Sequence, residues 1–171
     1  YQIEQDLKST TDTVALEALK KKKTGLFEKK NKMDMAFVKA HPDNIMSKFL
    51  WANEDREIPK VYAQFETCIS DSLEYTYYKH HYWATIDLPD NAYTRMPNNV
   101  LKTKYNYYFD KLVVQDPDSL IKEITYLIDK STGAWENEKF FMMSTLQKFQ
   151  ASQYMGHDKV LVYTAMQYYA N

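Results

Sequence analysis

The chain has 171 residues, a length that most often forms one domain or two small subdomains sharing a core. Its 22 Lys and Arg residues nearly balance its 23 Asp and Glu residues, and the formal net charge of -1 argues against a nucleic-acid binder, which usually carries a basic excess. No apolar run approaches the 18 residues that a membrane span needs. Only 3 glycines are present. Because the favoured hairpin turns need positive φ angles, which glycine supplies, this scarcity favours an all-α fold.

The N-terminal third predicts one long helix over residues 12–40 and a short helix that restarts after Pro42 and runs to Ala52. Lys23 and Lys30 interrupt the apolar seam of the long helix, so we expect it to pack along part of its length and to project elsewhere. The other apolar seam positions are Leu16, Leu19, Leu26, Met33, Phe37 and Ala40. The lysine-rich stretch over residues 20–32 is interpreted as a solvated helix face rather than a membrane or nucleic-acid contact.

The middle of the chain is less regular. Residues 54–70 are expected to be irregular around Pro59, Asp71 is expected to cap a helix that runs to about residue 84, and residues 86–97 are expected to form a loop. Residues 98–114 then predict a helix, because one face at helical spacing carries Leu101, Tyr105, Tyr108, Phe109 and Leu112.

The C-terminal third predicts three helices punctuated by proline and glycine. Asp116 and Pro117 begin a segment that Gly133 ends, with a single apolar stripe of Leu120, Ile121, Ile124, Leu127 and Ile128. Residues 135–155 predict a helix with Met142, Leu146 and Phe149 inward, a face broadened by Phe141 and Met143, and with Gly156 as its C-terminal cap. Asp158 is expected to begin a last helix with Leu161, Ala165, Tyr168 and Tyr169 inward.

These elements predict an all-α fold of about six to seven helices, either an irregular helical bundle or a short α-solenoid. We expect a single domain over residues 1–171. It would comprise the long helix (1–40), short helices and loops (41–97) and two helical hairpins (98–171).

Ionisable and aromatic side chains are most concentrated in residues 74–83, which read EYTYYKHHYW. On a helix, Tyr77 and His81 would stack at i and i+4. The segment could form an aromatic groove with an imidazole that titrates near neutral pH, or a helix buried between others with its polar tips hydrogen-bonded. The candidate binding surface comprises Tyr75, Tyr77, Tyr78, His81, Tyr82 and Trp83. Because the chain has 15 tyrosines, many on inward stripes, an exposed remainder would favour a partner-binding face.

Catalytic motifs are missing from the sequence. It has no Gly-rich phosphate loop, no Gly-x-Ser-x-Gly elbow and no Glu-x-x-His pair. The single cysteine, Cys68, cannot form a redox dithiol and is expected to be a small buried hydrophobe. We therefore predict no catalytic residue, cofactor or metal. An enzyme alternative would pair His81 with an acid such as Glu74 or Asp110.

Four stretches resemble a known family. They are residues 41–50 (HPDNIMSKFL), 75–83 (YTYYKHHYW), 110–119 (DKLVVQDPDS) and 155–160 (MGHDKV). The chain from residue 41 onward resembles the helical domain, itself without an assigned function, that precedes the thioredoxin-like domain in envelope proteins of Gram-negative gut anaerobes.

The resemblance implies that the chain is part of an exported thiol–disulfide oxidoreductase of the thioredoxin family, located in the periplasm or cell envelope and lipid-anchored in some forms. The redox Cys-x-x-Cys motif of such proteins lies in the downstream domain. The start at Tyr1, without Met or a signal stretch, fits a piece of a longer precursor. The expected role is a non-catalytic module that positions the redox domain or mediates protein contacts. The expected partners are that C-terminal domain, protein substrates or a second copy. The alternative is a peptide- or glycan-binding module that uses exposed tyrosines.

Overall fold

The computed structural model describes residues 13–54, 62, 64 and 67–170, with side chains in the first helix from Glu17 onward. This part of the chain is all-α, with seven α-helices and no strand, which confirms the predicted fold class and helix number. The helices are α1 (Thr13–Ala40), α2 (Ile45–Ala52), α3 (Thr67–His81), α4 (Val100–Tyr107), α5 (Pro117–Lys130), α6 (Trp135–Gln150) and α7 (His157–Tyr168).

Contacts divide the chain into two compact units, residues 1–50 and 51–171. The boundary falls inside α2. Their organisation as one domain over residues 1–171 stays a prediction.

The first unit is dominated by α1, the predicted long helix. None of the side chains described in α1, from residue 17 to residue 40, is buried, and the seam residues Leu26 and Met33 are exposed. The lysines of residues 20–32 are exposed as well, as expected for a solvated face. The amide of His41 donates to Phe37 O at the end of α1, and Asn44 Oδ1 then accepts the Met46 amide at 2.8 Å to begin α2.

The core of the second unit forms on the predicted stripes of α4 and α5. All five residues of the stripe predicted over residues 98–114, which we call the α4 stripe, are buried. Two of them lie in α4 and three in the π-helical turn that follows it, Tyr108–Leu112. Four of the five α5 stripe residues are buried, and Asp116 caps this helix by accepting the Ser119 amide at 3.0 Å. Helices α5, α6 and α7 pack on one another. The strongest apolar periodicities therefore identified the core.

Helix α3 differs from its predicted bounds at both ends. It begins at Thr67, one turn before the predicted cap Asp71, and ends at His81 rather than near residue 84. Beyond His81 the amides of Tyr82, Ala84 and Ile86 donate to carbonyls three residues earlier, so the chain tightens into turns.

Helix α6 ends at Gln150, five residues earlier than predicted. The expected cap, Gly156, instead precedes α7 with a left-handed φ of 88°. An ideal Cβ at this position would lie 2.9 Å from the ring of Pro117, so both the backbone angle and the close approach favour glycine.

The predicted inward faces of α6 and α7 agree with the observed ones only in part. Phe141 and Phe149 are buried as predicted, whereas the other predicted residues are half-buried or exposed. In α6 the buried residues are Asn137, Phe141, Thr145 and Phe149, whereas Met142 and Leu146 are half-buried. In α7 they are His157, Val160 and Thr164; Leu161, Ala165 and Tyr168 are half-buried, and Tyr169 is exposed. The observed faces contain polar residues with internal hydrogen bonds, which an apolar pattern overlooks.

The segment over residues 86–97, predicted as a loop, is packed and partly helical. It contains a 3₁₀ helix, Asn91–Arg95, which Asp90 caps by accepting the Ala92 amide at 2.9 Å. Arg95 forms a salt bridge with Glu136 at the start of α6. Four apolar side chains of the segment are buried, namely Ile86, Leu88, Tyr93 and Met96.

The prediction that Cys68 is buried is wrong. Its side chain is exposed on the first turn of α3, not buried. The residue lies in the first turn of a helix whose start was predicted four residues later, so its surroundings could not be inferred.

Candidate binding cleft

A cleft of about 790 Å³ lies within the second unit, between α3 and α5. We call it the α3–α5 cleft. Its volume is within the usual range for small-molecule sites, about 300–1,000 Å³. The lining residues come from α3, α5, the turn segment after α3 and the π-helical turn: Tyr75, Thr76, Lys79, His80, Trp83, Ala84, Ile86, Asp87, Leu88, Pro89, Tyr108, Lys122, Glu123, Tyr126 and Lys130.

The wall formed by α3 and its C-terminal turn carries Tyr75, Lys79 and Trp83. They recur every four residues, so they share one face in or next to the helix. The Tyr75 ring is 44 % exposed, and its hydroxyl donates to Leu112 O at 2.7 Å. Trp83 is buried and packs edge-on against Tyr108. One aromatic ring is therefore held in place with its surface accessible.

The opposite wall repeats the same spacing on α5, with Lys122, Tyr126 and Lys130. Tyr126 is 46 % exposed, and Lys130 Nζ lies 6.0 Å from its ring centroid, at the limit of a cation–π contact. This wall therefore presents an accessible ring between two ammonium groups.

Glu123 connects the two walls. Lys79 forms a salt bridge with Glu123 Oε1 at 2.9 Å, and the Tyr108 hydroxyl donates to Glu123 Oε2 at 2.9 Å. Burial, and then the hydrogen bond to Glu123, raise the pKa of Tyr108 far above its usual value, so the phenol remains a neutral donor. Both carboxylate oxygens are engaged, which links α3, α5 and the π-helical turn.

Residues 86–89 complete the lining of the cleft, and we call them its closing segment. Asn137 of α6 fixes this segment, because its Nδ2 donates to Leu88 O at 2.7 Å and to Asp90 O at 2.8 Å. The Asn137 side chain is fully buried. The closing segment is therefore anchored to the core.

The cleft carries an excess of positive charge. Its lysines are Lys79, Lys122 and Lys130, and its carboxylates are Glu123 and Asp87. Lys79 is neutralised by Glu123, whereas no carboxylate forms an ion pair with Lys122 or Lys130 within the part of the chain that the structure describes. Two cations are therefore available on the α5 wall.

Two of the six predicted site residues, Tyr75 and Trp83, line the cleft. Tyr82 is buried instead, and its hydroxyl donates to Lys104 O at 3.1 Å. Tyr78 is half-buried and packs edge-on against Tyr82. Tyr78 and Tyr82 therefore agree with the alternative interpretation, in which this helix face packs against other helices.

Tyr77 and His81 stack as predicted, with ring centroids 4.1 Å apart. His81 Nδ1 lies 2.8 Å from Tyr77 O, so that nitrogen is the protonated donor. Neither residue lines the cleft; the adjacent His80 does.

The enzyme alternative gains no support from either acid that it named as an example. Asp110 forms a salt bridge with Lys148, and Glu74 accepts a hydrogen bond from Ser70 at 3.2 Å. Neither acid lines the cleft. Within the described residues, no three or more His, Cys, Asp or Glu side chains are grouped so that they could hold a metal ion.

The apolar periodicity of α5 does not predict the α5 wall, because it places Lys122 and Lys130 on the polar face of the helix and gives Tyr126 no role. The available signal was Tyr126 itself, an aromatic residue between two lysines at i−4 and i+4 on the polar face of an amphipathic helix.

No family model, curated protein or solved structure matches the chain. Among the described residues, no helix is both long and apolar enough to cross a membrane.

Proposed function

We propose that this chain is a non-catalytic helical module that binds a partner or ligand in the α3–α5 cleft. The observation that carries the proposal is the fixed geometry of the cleft. Its walls are joined through Glu123, its closing segment is anchored by Asn137, and the Tyr75 ring is held by a hydrogen bond. Such preorganisation lowers the entropy lost on binding.

Two features support a role without catalysis. The only cysteine, Cys68, cannot form a dithiol. Of the two cleft carboxylates, Glu123 is held by a lysine and a phenol, which leaves it poorly placed to act as a general base.

The wider role that we propose follows from the sequence resemblance. The module would belong to a thiol–disulfide oxidoreductase of the periplasm or cell envelope, with or without a lipid anchor. There it would position the C-terminal thioredoxin-like domain, contact protein substrates or mediate homodimer formation. The stretches 75–83 and 110–119 support this parent, and the first of them supplies most of one cleft wall.

The coding sequence beyond Asn171 tests the parent. We expect a Cys-x-x-Cys motif in the next domain, and its absence would refute this assignment.

The contact with protein substrates is tested in the full-length protein with Tyr126→Ala. If the cleft engages protein substrates, this variant reduces insulin more slowly than wild type but reduces a small aromatic disulfide at the same rate. Tyr154→Ala is the matched control, because Tyr154 is 70 % exposed and lies outside the cleft. Equal insulin rates for wild type and both variants would exclude substrate contact through the cleft.

A glycan- or peptide-binding module is the second candidate. It is favoured by the two half-exposed rings, Tyr75 and Tyr126, on facing walls of one cleft. Tyrosine combines an apolar ring face with a polar tip, which suits ligands that are apolar on one surface and hydrogen-bonding on another.

A further inference from the structure

We infer that the α3–α5 cleft binds an acidic oligosaccharide, a short chain of sugar rings that carry carboxylates. The inference rests on the proposed function, because it names the ligand class for the same cleft. It depends on Tyr126, which is flanked along α5 by Lys122 and Lys130 and lines the same cleft as Tyr75.

The charge of the cleft favours an anionic ligand, because two lysines and only one carboxylate, Asp87, remain beside the Lys79–Glu123 pair. Lys122 and Lys130 lie two turns apart on α5, about 12 Å along the helix axis at 1.5 Å per residue. Tyr126 lies between them. A ligand that covers the Tyr126 ring therefore has an ammonium group on either side, which favours several carboxylates spread along its length over one compact anion.

The aromatic rings require a ligand with flat apolar patches. Tyr75 and Tyr126 present about half of their surface. The C–H face of a sugar ring is apolar while its hydroxyls lie around the rim, so stacking on a tyrosine leaves the hydroxyls free for hydrogen bonds. His80 and Asp87, which also line the cleft, are polar groups suited to those hydroxyls.

The backbone of the walls argues against an extended acidic peptide. Such peptides usually gain affinity from main-chain hydrogen bonds to a sheet edge. Most of the cleft is formed by α3 and α5, whose interior amides and carbonyls are paired within the helices. Recognition in this cleft therefore depends on side chains, which suits a ligand that is rich in hydroxyls and carboxylates.

Calorimetric titration of the full chain at low ionic strength tests the inference, with tri-galacturonate as the probe and maltotriose as the neutral comparison. We expect tri-galacturonate to bind at least tenfold more tightly than maltotriose, and its affinity to fall as salt is added. Lys122→Gln and Lys130→Gln should each weaken binding about two- to fivefold, the range for exposed ion pairs. Tyr126→Ala should weaken binding about tenfold through the loss of stacking.

Lys102→Gln is the matched control. Lys102 is exposed on α4 and outside the cleft, so this variant should bind like wild type. Circular dichroism and thermal unfolding of every variant establish that each is folded.

Three outcomes overturn the inference: equal binding of maltotriose, unchanged affinity in both lysine variants of α5, or tighter binding of a hexaglutamate peptide than of tri-galacturonate. The experiments distinguish a wrong ligand class from a wrong proposed function. If tri-galacturonate does not bind but Tyr126→Ala still slows insulin reduction by the parent, only the sugar class is wrong. If Tyr126→Ala changes neither property, the cleft is not a binding site.

Discussion

Asn137→Ala is expected to destabilise the second unit more than any surface substitution. The Asn137 side chain is fully buried, and its Nδ2 donates to two carbonyl groups, Leu88 O and Asp90 O. Alanine removes both donors and leaves two carbonyls without these partners, next to a small void.

The size of the effect follows from these two bonds. Each neutral hydrogen bond contributes about 0.5–1.5 kcal/mol net, and a buried acceptor that loses its partner costs up to roughly 3 kcal/mol. Asn137 Oδ1 itself has no partner among the described residues, so its removal recovers part of the loss. We expect a decrease in unfolding free energy of about 2–3 kcal/mol.

Urea unfolding followed by tryptophan fluorescence measures this change, since buried Trp83 borders the segment that Asn137 anchors. The midpoint should fall while the slope stays the same. Asn106→Ala is the matched control: Asn106 is exposed on α4, and alanine has the higher helix propensity, so its stability should be unchanged or slightly increased. A loss below about 1 kcal/mol in Asn137→Ala would refute the reasoning.

Three other predictions concern the same unit. Gly156→Ala should destabilise the chain more than Gly133→Ala in thermal unfolding. Both glycines have left-handed φ angles, which strain an alanine by roughly 1–2 kcal/mol. Only at Gly156 would the new Cβ also crowd the ring of Pro117 at the start of α5. Tyr105→Phe and Thr145→Val should each cost about 1 kcal/mol in urea unfolding and combine less than additively, because their hydroxyls form one buried hydrogen bond of 2.9 Å. Asp116→Asn should unfold at a lower temperature than wild type at neutral pH and converge with it in acid. The backbone hydrogen bond at the start of α5 lowers the folded-state pKa of Asp116, so its stabilisation exists above the unfolded-state pKa and is lost as the pH falls through the folded-state pKa.

The helices with the clearest sequence signals formed where the sequence indicated. Helix α5 begins at Pro117 behind the cap Asp116 and ends three residues before Gly133. The α4 stripe predicted five core residues correctly, because large apolar and aromatic side chains at helical spacing leave only one face to bury. Local periodicity and local capping therefore sufficed for these elements.

The inward faces of α6 and α7 could not be predicted in this way, because polar residues share their burial. Asn137 donates to two carbonyls, Thr145 bonds to Tyr105, and Thr164 donates to Val160 O at 2.9 Å. A buried polar residue is stable when it has partners. Most of these partners are distant in sequence, so composition alone assigns such residues to the surface.

The candidate cleft depends on a still finer property, the rotation of α3 about its axis. Tyr78 lies about 60° around the helix from Tyr75, since successive residues differ by 100°. Tyr82 follows in the turn directly after α3. The aromatic packing around Tyr82 buries one face and leaves Tyr75 in the cleft. Both faces are rich in tyrosine, so the α3 sequence cannot distinguish them.

The two faces of α3 are distinguished by α4 and α5. Helix α4 supplies the Lys104 carbonyl that accepts the Tyr82 hydroxyl, and α5 supplies Glu123, which pairs with Lys79. The face of α3 that lines the cleft is therefore selected by its neighbours. Lys79→Met, which keeps the length and apolar stem of the side chain but removes the ion pair with Glu123, should alter the cleft while leaving the hydrogen bond from Tyr82 to Lys104 O intact.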